Sequence, residues 1–161
     1  MLAKQTIRAA TGWLELGMPA DALDELKSLS LEEQRQRRAM ELKLAAEMAM
    51  MMWKDASATA LKLCEQASDE PDFFLSAAYC LHEMGSTAEA RNCLENGPAT
   101  LHELPVFHYN MACYLWTLGD QEPAKQFLMN AISMDENFLE AAKVDKDLVG
   151  LDIELTGSPI A

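Results

Sequence analysis

The stretch Tyr109–Asn137, YNMACYLWTLGDQEPAKQFLMNAISMDEN, contains the pattern that decides the fold. Pro105, just before it, suits the first turn of a helix, because the backbone N–H that proline lacks would have no helical partner there. Gly119 suits the left-handed residue that follows a helix. Asp120 can then cap a second helix, in which Ala124 begins an apolar stripe at helical spacing. The stretch therefore predicts two packed helices joined by a tight turn at Gly119.

The same pattern recurs every 34 residues, without insertion or deletion. A small side chain where two helices cross lets their axes approach closely, so a recurrent alanine marks each crossing. The equivalent positions are Ala10, Leu44, Ala78 and Ala112 in the first helix, Gly17, Met51, Gly85 and Gly119 in the turn, and Ala22, Ala56, Ala90 and Ala124 in the second helix. An unbroken period of this length is typical of a helical repeat array.

These residues resemble the tetratricopeptide repeat, whose pattern is W-x2-L-G-x2-Y, then A-x3-F, then P. The fourth unit is the most similar, and the third, FFLSAAYCLHEMGSTAEARNCLE, is nearly as similar. The resemblance implies an all-α fold, a right-handed α-α superhelix of four helix-turn-helix repeats with a C-terminal capping helix. We expect one solenoid domain over residues 1–150. Its parts are repeats at about 3–36, 37–70, 71–104 and 105–138, a cap at 139–150, and a flexible tail at 151–161.

The second unit departs from the pattern. Lys43 and Glu47 stand where the family has core residues, and Met51 replaces the glycine of the turn. We therefore expect the first helix of this unit, about Leu31–Met52, to be long and locally shifted. After the last repeat, Asn137–Lys143 predicts one more short helix, and the DKDLVGL that follows Val144 predicts a turn that folds Leu148 and Leu151 onto the repeat.

Composition and charge narrow the range of partners. Half of the residues are hydrophobic, and strong helix formers dominate. The net charge is −13, and residues 65–161 carry seventeen acidic side chains against four basic ones. Such a half-molecule repels phosphate backbones and anionic lipid, so we expect no nucleic-acid and no membrane partner. The first residues have no apolar leader segment, which favours a cytoplasmic protein.

No pattern in the chain predicts catalysis. The four cysteines form no CxxC pair, and their spacing to the three histidines does not suit zinc. A phosphate-binding glycine loop, a GxSxG elbow and an EF-hand pattern are missing from the sequence. We therefore expect reduced, buried cysteines and neither enzyme activity, nor a metal, nor a cofactor. A Cys–His nucleophile pair is the enzymatic alternative.

The resemblance implies that residues 2, 5, 9, 12 and 13 of each unit face a concave partner-binding groove. Tyr and Trp at such positions are the residues most enriched at binding hot spots. The groove suits an amphipathic helix or an extended apolar peptide, with Asp72 and Glu83 favouring a basic flank. In the alternative, Tyr109 and Trp116 belong to the core between repeats. The candidate partner-binding residues are Leu75, Tyr79, His82, Val106, Tyr109, Cys113 and Trp116.

The resulting hypothesis is a cytoplasmic adaptor, a non-enzymatic scaffold for protein–protein interaction. Two alternatives stay open. One is a small chaperone that holds apolar segments of a client, since bacterial type III secretion chaperones for translocator proteins are similar in size, acidity and repeat type. The other is a structural protein that self-associates as a homodimer, for which Met50–Trp53 offers an apolar surface.

Overall fold

In a computed structural model, residues 2–152 are described, and they form ten α-helices, two 3-10 helices and no strand. The all-α prediction is therefore confirmed, while the handedness of the superhelix stays a prediction. The α-helices are α1 (Leu2–Glu15), α2 (Pro19–Leu26), α3 (Leu31–Gln34), α4 (Arg37–Ala49), α5 (Trp53–Gln66), α6 (Pro71–Glu83), α7 (Thr87–Glu95), α8 (Pro105–Leu118), α9 (Gln121–Met134) and α10 (Asn137–Val144). The 3-10 helices are Ala99–Glu103 and Lys146–Leu148.

The chain divides into two compact units between Pro98 and Ala99. In the first unit, α1 packs on α2, α4 packs on α1, α2 and α5, and α6 packs on α5 and α7. In the second unit, α8 packs on α9 and on the 3-10 helix Lys146–Leu148. The helix pairs α1/α2, α4/α5, α6/α7 and α8/α9 correspond to the four expected repeats. A single domain over residues 1–150 stays a prediction.

The four helix pairs turn in the same way. A left-handed residue lies one or two positions after each first helix, and the N–H of the next residue donates to the carbonyl five residues earlier, which is the Schellman motif. The left-handed residues are Gly17 (φ 71°), Met51 (φ 55°), Gly85 (φ 87°) and Gly119 (φ 89°). The bonds are Met18 N to Trp13 O (2.8 Å), Met52 N to Glu47 O (2.8 Å), Ser86 N to Leu81 O (2.8 Å) and Asp120 N to Leu115 O (2.9 Å). The 34-residue phase is thus a property of the backbone.

The prediction of one long, shifted helix over about Leu31–Met52 is wrong. Ser30 and Glu33 form a capping box that starts α3, with the Ser30 N–H donating to Glu33 Oε2 at 2.8 Å. Gln36 is extended (φ −69°, ψ 142°), so α4 begins afresh at Arg37 and has thirteen residues, as α6 has. The capping box accounts for the start of α3, the extended Gln36 separates α3 from α4, and the turn at Met51 keeps α4 in phase with the other units.

The expected crossing residues are in the core. Ala10, Ala22, Ala56, Ala78 and Ala90 of the first unit are fully buried, as are Ala112 and Ala124 of the second. A small side chain at these places lets the helix axes approach closely, whereas the buried Leu44 takes the equivalent place in the second repeat. Asp120 stands at the N-cap of α9 as expected, yet its side chain accepts no capping hydrogen bond.

Beyond the last repeat, α10 confirms the predicted short helix over Asn137–Lys143. Leu148 is buried, as predicted for the turn that follows. The expected flexible tail lies outside the described residues from position 153 onward. Among the helices between residues 2 and 152, none combines the length and the apolar character needed to cross a membrane.

Candidate functional site

The face of α8 is the part of the second unit that the sequence assigns to a partner. Tyr109, Cys113 and Trp116 are spaced by four and three residues, so they share one side of the helix. Val106 extends the same side toward the start of α8 and is exposed. A face with this spacing and two aromatic rings can bind a polypeptide along its length.

This face is covered by the chain itself. We use the term C-terminal segment for residues 145–151. The Tyr109 hydroxyl donates to Asp145 Oδ2 at 2.6 Å, and the Trp116 indole N–H donates to the Val149 carbonyl at 3.0 Å. Leu148, between these two contacts, is only 4% exposed. The α8 face therefore holds a short piece of polypeptide through two side-chain donors and a buried leucine.

The C-terminal segment has a compact local structure. Asp145 Oδ1 accepts the N–H of Asp147 at 2.9 Å, and this Asx turn starts the 3-10 helix Lys146–Leu148. The Leu151 N–H then donates to the Leu148 carbonyl at 3.0 Å. Val149 (φ −56°, ψ 129°) and Gly150 (φ 84°) have the dihedrals of a type II turn, which needs a glycine at its third position. The segment is thus preorganised by its own hydrogen bonds.

Two donors of the α8 face, the Tyr109 hydroxyl and the Cys113 thiol, have raised pKa values and so keep their protons. Burial, assisted by the hydrogen bond to Asp145, raises the pKa of Tyr109 above its ordinary value. Burial also raises the pKa of the Cys113 thiol, and the nearby negative charge of Asp145 adds to the effect. Both groups are therefore protonated near neutral pH, and the Cys113 S–H lies 3.9 Å from Asp145 Oδ2 as a weak second donor.

The structure places the four candidate residues of α8 differently from each other. Tyr109 is 8% exposed and Cys113 is buried, Trp116 is half-buried, and Val106 is open. Tyr109 also stacks on Phe138 of α10, with ring centroids 4.7 Å apart. The side chains that were expected to await a partner are thus occupied by the chain's own C-terminal part.

In the first unit, the face of α6 carries the other three candidate residues. Leu75 and His82 are half-buried, whereas Tyr79 keeps 40% of its surface exposed. The Trp53 ring meets the Tyr79 ring edge to face at 5.7 Å, and His82 Nδ1 lies 3.0 Å from Thr87 Oγ1. Leu75, Tyr79 and His82 therefore share one face of α6, with an aromatic pair at its centre.

The second repeat of the first unit lines an open cavity together with α2. Glu47 is 2% exposed, and its Oε2 accepts the Thr59 hydroxyl at 2.7 Å. Lys43 approaches Glu47 Oε1 at 3.6 Å but keeps half of its side chain exposed. The two residues line a cavity of about 430 Å³ that is bordered by Lys27 and Lys62. Of the two polar residues expected in the core, only Glu47 is buried.

The thiols of the first unit are not activated for nucleophilic chemistry, although Cys93, unlike the buried Cys64 and Cys80, is only half-buried. Burial raises the pKa of Cys64 to about 12, and that of Cys80 and Cys93 to about 11. A thiol is a nucleophile as its thiolate, and these three are protonated at neutral pH. Their chemistry is that of small core residues.

The sequence predicted that Leu148 folds onto the last repeat, but not the polar contacts that the C-terminal segment makes with the α8 face. Asp145, Val149 and Gly150 were assigned to a cap, because the 34-residue period ends before them. The Leu148-Val149-Gly150-Leu151 stretch did contain a usable signal, a glycine at the third position of a type II turn. No local signal pairs Asp145 with Tyr109, since 36 residues separate them.

Residues 106–138 match the family model of the tetratricopeptide repeat, over most of α8, all of α9 and the start of α10. No curated protein sequence matched the chain. The matched region contains the Gly119 turn and the candidate residues Val106, Tyr109, Cys113 and Trp116.

Proposed function

We propose that this chain, which belongs to the tetratricopeptide-repeat family through its match over residues 106–138, is a non-enzymatic adaptor. It binds a helix or an extended segment of another protein along the first helices of its repeats. A chaperone that holds apolar client segments is a variant of this proposal with the same surface. The cytoplasmic location expected from the sequence belongs to the proposal as well.

One observation supports the proposal most directly: the α8 face already holds a polypeptide segment. Tyr109 and Trp116 of α8 each donate a side-chain hydrogen bond to this segment, and Leu148 of the segment is buried. The equivalent face of α6 carries Leu75 and Tyr79 at the same helical spacing. A face of this design supplies apolar area and a few oriented donors, which is the usual composition of a peptide-binding surface.

The α6 face is the candidate surface for a foreign partner in the first unit. Tyr79 is large and partly exposed, and aromatic residues in such positions dominate binding energies. Asp72 near the start of α6 is exposed, and Glu83 ends the helix half-buried. These carboxylates favour a partner segment with an apolar centre and a basic flank.

The experiment that tests the proposal is site-specific photocrosslinking in the native host. A photoreactive phenylalanine analogue replaces Tyr79 on α6 or, as the matched control, Leu61 on α5, which has the same 40% exposure. We expect one crosslinked protein from position 79 and none from position 61. The control separates binding at the α6 face from chance collision with an equally exposed side chain.

Identical products at both positions, or none at position 79, would count against the proposal. A crosslinked partner is then tested for direct binding to the purified chain by titration calorimetry. The Tyr79→Ala variant should weaken this binding by about 2 kcal/mol, the usual loss on truncating an aromatic hot spot.

Self-association is the second candidate, and the turn between α4 and α5 favours it. Met51 is 70% exposed and Met50 is 40% exposed. Light scattering at low micromolar concentration reports a monomer under the adaptor proposal. A dimer that is lost in Met51→Asn would favour self-association, because asparagine tolerates the left-handed turn and removes only the apolar side chain.

A further inference from the structure

We infer that the α8 face recognises a segment of the pattern Asp-x-x-Leu-x-Gly, and that residues 145–151 of this chain occupy it as an internal ligand, which a partner segment of the same chemistry must displace. The inference rests on the proposed function, because it names the partner chemistry and the regulation of one of the proposed binding faces.

The acidic first position of the pattern, Asp145, is bound by uncharged hydrogen-bond donors. From the α8 face, the carboxylate of Asp145 accepts the Tyr109 hydroxyl at 2.6 Å and, weakly, the Cys113 S–H at 3.9 Å. Within the segment it also accepts the Asp147 N–H at 2.9 Å. Hydrogen bonds to an ionised acceptor are about twice as strong as neutral ones. Lys125 and Lys143 in this unit instead pair with Glu122 and Glu140. The face therefore selects a carboxylate through hydrogen-bond geometry and without a cation of its own.

The leucine and glycine positions follow from burial and backbone geometry. Leu148 is buried, whereas the side chains of Lys146 and Val149 point to solvent. The Val149 carbonyl accepts the Trp116 indole N–H, which fixes the backbone but not the side chain of that position. Gly150 is left-handed, a conformation that other residues rarely adopt. The first, fourth and sixth positions of the pattern are thus specified by these contacts and by the turn.

Covalent attachment favours the internal ligand. A segment tethered by a short connection has an effective concentration of about millimolar. A partner that binds the same face is weakened in proportion to the fraction of molecules in which the segment is released. The nine acidic side chains of residues 99–152 also give an acidic partner no electrostatic steering. We therefore expect the intact chain to bind partner segments weakly and the released face to bind them well.

The test uses the full chain and a synthetic peptide. In the released variant, Asp145→Asn/Leu148→Ser, the segment loses its carboxylate and its anchor while α8 is unchanged. The probe is a fluorescent peptide of residues 143–152, KVDKDLVGLD, followed by fluorescence anisotropy. We expect the released variant, with a wild-type circular dichroism spectrum, to bind this peptide about tenfold or more tightly than wild type does.

A milder variant keeps the test valid if the released variant does not fold. Gly150→Ala leaves Asp145 and Leu148 in place but strains the turn, because alanine is disfavoured at a φ of 84°. We expect this chain to bind the peptide about fivefold more tightly than wild type. If the released variant and Gly150→Ala, each shown to be folded, bound the peptide with the same affinity as wild type, the inference would be overturned.

Specificity is tested on the released variant. A peptide with Asn in place of Asp145 should bind several-fold more weakly, and Tyr109→Phe in the protein should abolish that difference, since the phenol is the donor concerned. A difference that survives in Tyr109→Phe would overturn the assignment of Tyr109.

Sedimentation of wild type should show a monomer, whereas a dimer held by exchanged segments would overturn occupation within one chain.

These outcomes are separate from those of the adaptor proposal. The peptide assay needs no foreign protein and probes only α8, whereas the crosslinking experiment probes α6. A foreign partner crosslinked at position 79 together with no peptide binding would leave the adaptor proposal intact and refute this inference alone.

Discussion

Position 51 holds a methionine in the backbone conformation that glycine has at the three equivalent turns. A left-handed conformation costs a residue with a Cβ about 1–2 kcal/mol. Met51 nevertheless makes the same turn hydrogen bonds as the glycines, with its N–H 3.0 Å from the Met48 carbonyl. The packing of α4 on α5 therefore imposes a turn that the residue itself disfavours.

Met51→Gly should stabilise the chain by about 0.5–1 kcal/mol, because the relieved strain exceeds the extra entropy that glycine has when unfolded. The measurement is urea unfolding followed by circular dichroism. Gly85→Ala is the matched control, since an added Cβ there meets no atom within 4 Å and only the φ of 87° opposes it. It should destabilise by about 1–2 kcal/mol. A destabilising Met51→Gly would contradict the strain argument.

Glu47 and Thr59 form the other residue-scale device, a buried polar pair in the first unit. Thr59→Val removes the hydroxyl donor at 2.7 Å and should cost about 1–3 kcal/mol, because the buried carboxylate then loses a partner. The double variant Glu47→Met/Thr59→Val should cost much less, since no unsatisfied group remains and Lys43 is half-exposed. Urea unfolding of both variants checks this order. Equal losses would show that packing, not the hydrogen bond, matters at this site.

At the scale of elements, local rules explain most boundaries. The capping box at Ser30 starts α3, prolines start α6 and α8, and left-handed residues end the first helix of every pair. The C-terminal segment follows the same kind of rule, with an Asx turn at Asp145 and a type II turn at Gly150. What the segment covers is decided by tertiary contacts with Tyr109 and Trp116.

Gly150→Ala should loosen the C-terminal segment without unfolding α8 and α9. The readout is amide hydrogen exchange, in which the N–H of Asp147 and the N–H of Leu151 should exchange faster, by about fivefold for a strain near 1 kcal/mol. Val149→Ala is the control, because the exposed side chain is shortened while its carbonyl still accepts from Trp116. Faster exchange of the same size in both variants would refute the turn as the cause.

At the scale of the whole molecule, the negative net charge and the raised pKa values of the thiols both lower stability as the pH rises. The chain already carries a formal charge of −13, and each thiolate would add to it. Cys64, Cys80 and Cys93 have pKa values of about 12, 11 and 11, above the ordinary value of 9.0. The unfolded chain therefore releases thiol protons at lower pH than the folded chain does.

Stability should accordingly be unaffected by these thiols below about pH 9 and should fall as the pH rises from there toward 11–12. Urea unfolding midpoints at about pH 8 and at about pH 10.5, on the two sides of this window, measure the fall in stability. The triple variant Cys64→Ala/Cys80→Ala/Cys93→Ala should show a shallower decline. A decline as steep as that of wild type would assign the effect to general charge repulsion or to tyrosine.

Helix content, the four turns at 34-residue spacing and the buried alanines could all be predicted from the sequence, because each depends on contacts within a helix or between neighbours in one repeat. The break within the second repeat could not, since Gln36 is extended although it stands among glutamate, glutamine and arginine residues, which are good helix formers. The aromatic faces of α6 and α8 were also predictable, from helical spacing and the resemblance.

The sequence by itself determined the repeat, its phase and which side of each first helix carries Tyr79, Tyr109 and Trp116. Only the tertiary structure decided that Asp145 accepts a hydrogen bond from Tyr109 on the α8 face and that Glu47 is buried beside Thr59. Short-range geometry follows from residue type and spacing, whereas a contact across 36 residues depends on how α9 and α10 carry the chain back to α8. The 34-residue pattern contains no information about that contact.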